Sequence, residues 1–294
     1  MINDTNLVHI EEIAKTIIGK KDKIADTLFT ILKQFKLGTL AARSGISKQQ
    51  GFKAGHILNL LILFPFFSIT SVRSFYHSGF SRMTQAHKDV LFRLKNNPFY
   101  NWRKLLYMVA QRFKALSQEK RREYYKETTT CLILDDTIQP KKGKRLEAIG
   151  KVFDHVLHKY LLGMKGLFLC YWDGISTIPL DFSFHNEKGK NQKRPYGFSK
   201  RELQARYRKA RPRESCGYKR FRELKKSKIE NGLAMIKRAL RFGFMSQYVL
   251  TDSWFSTKEF IRKIRSFRNG SIDFLGQMRL LLWQLKTVKY FSLI

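Results

Sequence analysis

The chain has 294 residues, 43% of them hydrophobic, and carries 57 Lys and Arg against 23 Asp and Glu, a formal net charge of +34. That length and apolar content are enough for a substantial core and more than one domain. The charge selects polyanions as partners, nucleic acid above all, although it does not separate an enzyme from a structural RNA binder.

Cys131, Cys170 and Cys216 are isolated and lack CxxC spacing, which excludes a zinc signature and a disulfide framework and fits a reducing cytosol. The start, Met1-Ile2-Asn3-Asp4, has no basic region feeding an apolar core, so no signal peptide is expected. The most apolar run, Ile57 to Ile69, is 13 residues long and contains Asn59 and Pro65. It is short of the roughly 20 residues a bilayer span needs and reads as a buried helix broken at the proline. The expected location is the cytoplasm, with no membrane partner.

Residues 1–125 read as a mostly helical DNA-binding domain. Ile13, Ile17 and Ile18, then Leu28, Ile31, Leu32 and Phe35, recur at helical spacing. Leu40 to Lys53, with its small residues, a central glycine and Ser47 as N-cap, could make the turn of a helix-turn-helix, but the match is short and an ordinary helical corner is the favoured reading. Ser68 to Asn96 mixes Arg73, His77, Arg82, His87 and Lys88 with Phe75, Tyr76 and Phe80, a composition that suits phosphate contact or a wet helix face. Pro98 marks a boundary, helical character resumes from Trp102 to Phe113, and the polar run Gln118 to Thr130 reads as a connection.

From Cys131 the character changes, and 126–278 reads as a second, α/β domain. Strands are expected at Cys131 to Leu134, Lys165 to Tyr171 and Thr177 to Phe184, the last two joined at Asp173-Gly174. A basic insertion, 186–241, follows; between Glu187 and Arg241 it holds 20 Lys and Arg against 5 Asp and Glu. Within it, Phe221, Leu224, Ile229, Leu233, Ile236 and Leu240 predict one long amphipathic helix over Tyr218 to Phe242, closing near Gly243. Then come a strand at Tyr248 to Leu250, a short helix at Thr257 to Ile264 and a strand at Ile272 to Leu275. The element order is three strands, helix, strand, helix, strand.

Two of these apolar runs end abruptly in acid: Leu132-Ile133-Leu134-Asp135-Asp136-Thr137 and Tyr248-Val249-Leu250-Thr251-Asp252-Ser253. Two-metal phosphoryl chemistry needs carboxylates from separate elements that converge on the same ions, and Mg2+ needs hard oxygen ligands. If the first and fourth strands lie side by side in a mixed sheet, Asp136 and Asp252 meet at one edge, the arrangement of a ribonuclease H-like fold. Asp135 and Asp136 point to opposite faces of an extended strand, so Asp136 is expected as ligand, with Asp135 and Thr137 in support. The bland alternative is a turn before Pro140 flanked by surface lysines.

Leu132 to Pro140, followed by Lys141-Lys142-Gly143-Lys144, resembles the first catalytic-aspartate block of the DDE transposases in the broad IS4-like group of bacterial insertion sequences, and Val249 to Phe255 resembles the block around the second aspartate. The resemblance implies metal-dependent DNA strand cleavage and transfer at insertion-sequence ends, with Asp136 and Asp252 as catalytic residues holding Mg2+ or Mn2+. It also implies double-stranded DNA and transposon ends as partners, with a homodimer open to the DNA complex. Lys141, Lys142 and Lys144 would lie beside the scissile phosphate. Arg194, Arg206, Arg208, Arg211 and Arg213 would track the duplex, and Tyr196, Trp254 and Phe255 would either stack on a displaced base or, for the last two, pack under the sheet. The family's third acid is a glutamate in a Tyr…Arg…Glu…Lys signature, which does not occur here. Glu230, Glu259 and Asp273 are weak stand-ins, and the apolar tail 279–294 holds no acid. The expectation is therefore a truncated transposase with an incomplete active site, inactive alone. A stand-alone Mg-dependent nuclease and a non-catalytic DNA-binding protein are the alternatives.

Overall fold

The computed structural model describes residues 10–12, 15, 23–121, 129–144, 146–267 and 273–275, and the expectations for the helical face at Ile13, Ile17 and Ile18 and for the tail 279–294 lie outside them. The chain divides into two compact units, one formed by Met1–Glu119 with Pro212–Gly217 and the other by Lys120–Arg211 with Tyr218–Ile294.

The first unit is helical. Its helices are α1 (Lys23–Phe35), α2 (Leu37–Arg43), α3 (Ala54–Leu63), α4 (Val72–Tyr76), α5 (Lys88–Asn96) and α6 (Trp102–Arg121). Phe29 and Leu32 of α1, Leu37 and Ala41 of α2, Ile57 and Leu60 of α3, and Leu91 and Leu94 of α5 share one core. The apolar run breaks where its proline predicts, α3 ending at Leu63 and a 3-10 turn following at Pro65–Phe67. Two phenylalanine stacks close this end, Phe64 on Phe75 at 4.9 Å and Phe67 on Phe80 at 4.4 Å between centroids.

The favoured reading of this segment, an ordinary helical corner, fits the structure, and the helix-turn-helix alternative does not. α2 and α3 are joined by residues 44–53, a longer connection than the 3–4-residue turn of that motif, with positive φ at both Gly45 and Gly51. Ser47 is not an N-cap; Lys53 holds that position, and the Ser47 carbonyl accepts the Tyr100 hydroxyl at 2.8 Å. What fixes the α2–α3 pair is contact between Gly38 and Gly55. A Cβ on Gly55 would lie 2.6 Å from the Gly38 Cα, whereas one on Gly38 would lie 3.6 Å from the Gly55 Cα. Gly55→Ala is therefore expected to cost roughly 1–3 kcal/mol by overpacking against backbone, while Gly38→Ala is neutral or stabilising by up to about 1 kcal/mol. Urea unfolding followed by circular dichroism measures both.

The second unit is a mixed six-stranded sheet with helices, a ribonuclease H-like core. Its strands are β1 (Cys131–Pro140), β2 (Gly150–Asp154), β3 (Lys159–Trp172), β4 (Thr177–His185), β5 (Tyr248–Thr251) and β6 (Asp273–Leu275). The order is β2-β3-β1-β5-β6, with β4 also pairing β3; β1, β3 and β4 are antiparallel neighbours, while β5 and β6 run parallel to β1. The expected turn between β3 and β4 is present: the Asp173 carboxylate accepts the Ile175 and Ser176 N–H groups at 3.0 and 2.7 Å, and Gly174 takes a φ of 96°.

Three features differ from the sequence expectation. β2 was not anticipated. β1 does not end in acid but runs on to Pro140, because its antiparallel ladder with β3 continues to the pair Pro140–Gly163. The long helix over Tyr218 to Phe242 is broken into α8 (Cys216–Arg222), a 3-10 turn at Glu223–Lys225 and α9 (Lys228–Arg241). The break falls at Ser227, whose hydroxyl accepts the Glu230 N–H while the Glu230 carboxylate accepts the Ser227 N–H, a reciprocal cap that starts a new helix. The remaining helices are α7 (Lys200–Gln204) and α10 (Lys258–Ser266). Among the described residues, no helix is long and apolar enough to cross a membrane.

α9 covers one face of the sheet because Leu233, Met235, Ile236 and Ala239 fall on one side of it and are buried. Gly232 allows it to lie close: a Cβ there would come within 2.7 Å of the Leu134 side chain. Asp181 of β4, fully buried, holds α9 through Arg238 at 2.8 Å.

Candidate active site

Side chains alternate across β1, so Leu132, Leu134 and Asp136 face α9, while Ile133 and Asp135 face the other way. β5 lies beside β1 in parallel register, Leu132 opposite Val249 and Leu134 opposite Thr251. Asp252 follows directly and caps a 3-10 turn, its carboxylate accepting the Trp254 N–H at 2.5 Å and the Ser253 hydroxyl at 3.2 Å. The two acidic blocks, remote in sequence, thus stand on adjoining strands.

Their charges are felt at Asp135. Its carboxyl is raised above the ordinary value by desolvation first and by the neighbouring Asp136 and Asp252 charges after that; the Asp136 N–H it accepts at 2.8 Å and the Lys228 ammonium oppose the shift. On the α9 face, Asp136 Oδ2 receives the Lys228 Nζ at 2.7 Å, with both side chains less than a fifth exposed. The Lys165 Nζ lies 3.9 Å from the same oxygen and 2.5 Å from Glu187 Oε1. Lys228 also sits 4.6 Å over the ring of Trp254, so one ammonium bridges the Asp136 block and the Asp252 block.

Beside this group His185 is only 4% exposed, and neither ring nitrogen has a hydrogen-bond partner among the described residues. Burial, followed by the Lys228 charge, pushes its pKa down to about 4, against the opposing pull of Asp136 and Glu187. These four residues, Lys165, His185, Glu187 and Lys228, were not singled out from sequence. Lys165 had a readable signal: it shares strand parity with the buried Leu167 and Leu169, an inward position where lysine needs a partner. Lys228 had another, since Ser227 and Glu230 spell a capping box just around it.

The other expected site residues fall as follows. Lys141, Lys142 and Lys144 are exposed just past β1, with the Lys141 N–H donating to the Leu162 carbonyl at 2.8 Å. Arg194, Arg208 and Arg213 are exposed, and Arg213 belongs to the segment grouped with the helical unit. Arg206 stacks at 4.1 Å on Phe198, with Nε and Nη2 buried and unpartnered, and that burial lowers its pKa. Arg211 forms a fork on Glu147 at 2.8 and 2.5 Å, which holds that carboxyl below its usual range. Tyr196 is half-buried against Gly150, Phe255 is buried against Phe260, and Trp254 is exposed.

The three stand-in acids are engaged or lie elsewhere. Glu230 is exposed and caps α9, and Glu259 is exposed and pairs with Lys263 at 2.8 Å. Asp273 pairs through its backbone with Tyr248, its side chain lying outside the described residues. Among the described residues, no group of three or more His, Cys, Asp or Glu is arranged to hold a metal ion. Asp136 and Asp252 carry the hard oxygen donors that a divalent ion takes, with Asp136 already paired to Lys228.

A mixed sheet that gathers aspartates on adjoining parallel strands is the framework of a ribonuclease H-like nuclease. A family model described as DDE superfamily endonuclease matches residues 107–277, and the chain belongs to that family. No curated protein and no solved structure gives a significant match.

The depressed His185 pKa has a consequence for stability. The unfolded chain takes up a proton near the ordinary value of 6.5, the folded protein only near 4, so the neutral imidazole favours the fold above pH 6.5 and that advantage is lost as pH falls toward 4. Between pH 7 and pH 4, the folding free energy of the unaltered protein should fall by about 2–3 kcal/mol more than that of His185→Gln. Paired urea titrations at stepped pH check this.

Proposed function

We propose that the protein is a DNA transposase of the insertion-sequence type, in the broad IS4-like group, whose chemistry is metal-dependent strand cleavage and transfer at transposon ends. The observation that carries this is the placement of Asp136 and Asp252 on adjoining strands of a DDE-family domain, with Asp135 sensing both charges. Asp136 and Asp252 would hold Mg2+ or Mn2+. The ion would activate water or a 3′-hydroxyl and stabilise the leaving oxygen.

The chain's own residues supply the rest. Asp252, fixed by its bond to the Trp254 N–H, presents its carboxylate at the end of a rigid strand. Lys141, Lys142 and Lys144 neutralise the backbone beside the cleavage point, and exposed Arg194 and Arg208 grip phosphates along the duplex. Arg211 serves differently: its fork on Glu147 pins the basic segment to the turn before β2. Because Glu230 and Glu259 are committed elsewhere, the acid set among the described residues is short of a third ligand. The chain by itself is then a strong DNA binder with weak or absent cleavage.

Duplex affinity should drop on the order of 10^3-fold between 50 and 200 mM salt, as expected for a protein that neutralises about six phosphates. Over the same range, Mg2+ should give little or no cleavage of a labelled DNA end. Strong cleavage abolished by Asp136→Ala or Asp252→Ala would establish a complete active site instead. Affinity that does not respond to salt would sink the reading of the basic surface.

A further inference from the structure

We propose that Lys228 is a tethered cation that competes with the divalent ion for Asp136, so that the metal must displace the lysine to engage that carboxylate. This rests on the reading of Asp136 as a metal ligand and adds a regulatory element to the same site.

Three observations carry it. The Lys228 Nζ lies 2.7 Å from Asp136 Oδ2, direct ion-pair contact, and both side chains are mostly withdrawn from solvent. Its position is not incidental to a long flexible side chain. Lys228 is the first residue of α9, and the reciprocal Ser227–Glu230 cap fixes that turn. The ammonium is further steadied at 4.6 Å over the Trp254 ring, itself two residues past Asp252 and bonded to the Asp252 carboxylate through its N–H. The Lys228 ammonium therefore lies against Asp136 and over the Trp254 ring, where an ion taken up by Asp136 would have to come.

The neighbouring Lys165 does not serve the same way. It is 3.9 Å from Asp136 Oδ2 and is held closely by Glu187 at 2.5 Å, so its charge is already matched. Lys228 has only Asp136 as its carboxylate partner among the described ion pairs. A divalent ion and an ammonium cannot both sit against one carboxylate oxygen without strong mutual repulsion. When the ion arrives, the Lys228 ammonium is released along the Trp254 face, where it is free to pair with a DNA phosphate.

The test is Mn2+ binding to the full chain, followed by electron paramagnetic resonance of the free ion in the absence of DNA. Lys228→Met and Lys228→Gln should bind Mn2+ at least several-fold more tightly than the unaltered protein, and Asp136→Asn should lose most of the binding. A structural role alone for Lys228 would weaken Mn2+ binding or leave it unchanged. If Asp136→Asn abolishes binding while both neutral Lys228 variants match or fall below the unaltered protein, the competition is overturned and Asp136 stands as a ligand. If Asp136→Asn binds Mn2+ as well as the unaltered protein does, the ligand reading fails, and with it the premise of competition. Circular dichroism on each variant confirms that the comparison is between folded proteins, and the two neutral replacements provide independent readings of one side chain.

Discussion

The parallel pairing of β1 with β5 is the constraint on which the rest of the second unit depends. Four residues of each strand are in register, Cys131 to Leu134 against Tyr248 to Thr251, and nothing local dictates that contact across so long a stretch of chain. A parallel neighbour requires a crossover, and here α9 supplies it, buried on one face by Leu233, Met235 and Ile236. Everything chemically distinctive follows from that closure. Asp252 emerges beside the acids of β1, Trp254 comes under Lys228, and α9 begins where its first residue can reach Asp136.

Scarcity of acid shapes the site as much as the sheet does. In a chain of net charge +34, most carboxylates in this unit have a structural duty. Asp181 anchors α9 through Arg238, Glu147 holds Arg211, and Glu187 satisfies the buried Lys165. Glu202 and Glu230 complete capping boxes, and Asp154 and Asp173 close turns. Against that background, the concentration of Asp135, Asp136 and Asp252 is an exception. Perturbed acids gathered on one part of a sheet are a common mark of a functional site.

Much of the sheet was legible because its signals are local. The apolar runs of β1, β3, β4 and β5 and the Asp173-Gly174 turn are dictated by neighbours in sequence, and each appears in the structure, though β1 extends to Pro140 and β3 begins at Lys159. What escaped depended on partners far away. Asp136 lies inside β1 rather than at its end because β3 continues the ladder to Gly163, where a side chain would strike the Gln139 carbonyl. β2, Gly-Lys-Val-Phe-Asp, is too short and too polar to announce itself, and exists by pairing with that extension of β3. The helical corner at residues 44–53 was the favoured reading there, and two glycines at positive φ spread it too widely for the helix-turn-helix alternative. Of the site, the aspartates were readable as endings of apolar runs; the inward parity of Lys165 and the capping box around Lys228 were visible too, but not which carboxylate each lysine meets, and His185 gave no signal.

The hairpin of β2 and β3 presents Val156, Leu157 and Tyr160 to solvent, Val156 at 87% of its full exposure. The Asp154 carboxylate, accepting the Val156 and Leu157 N–H groups at 2.8 and 3.0 Å, holds this greasy knuckle rigid. At low ionic strength the large like charge keeps molecules apart and the knuckle stays harmless. Added electrolyte shortens the reach of that repulsion to about 8 Å or less. Rising salt therefore shifts the balance at this knuckle from charge toward apolar contact.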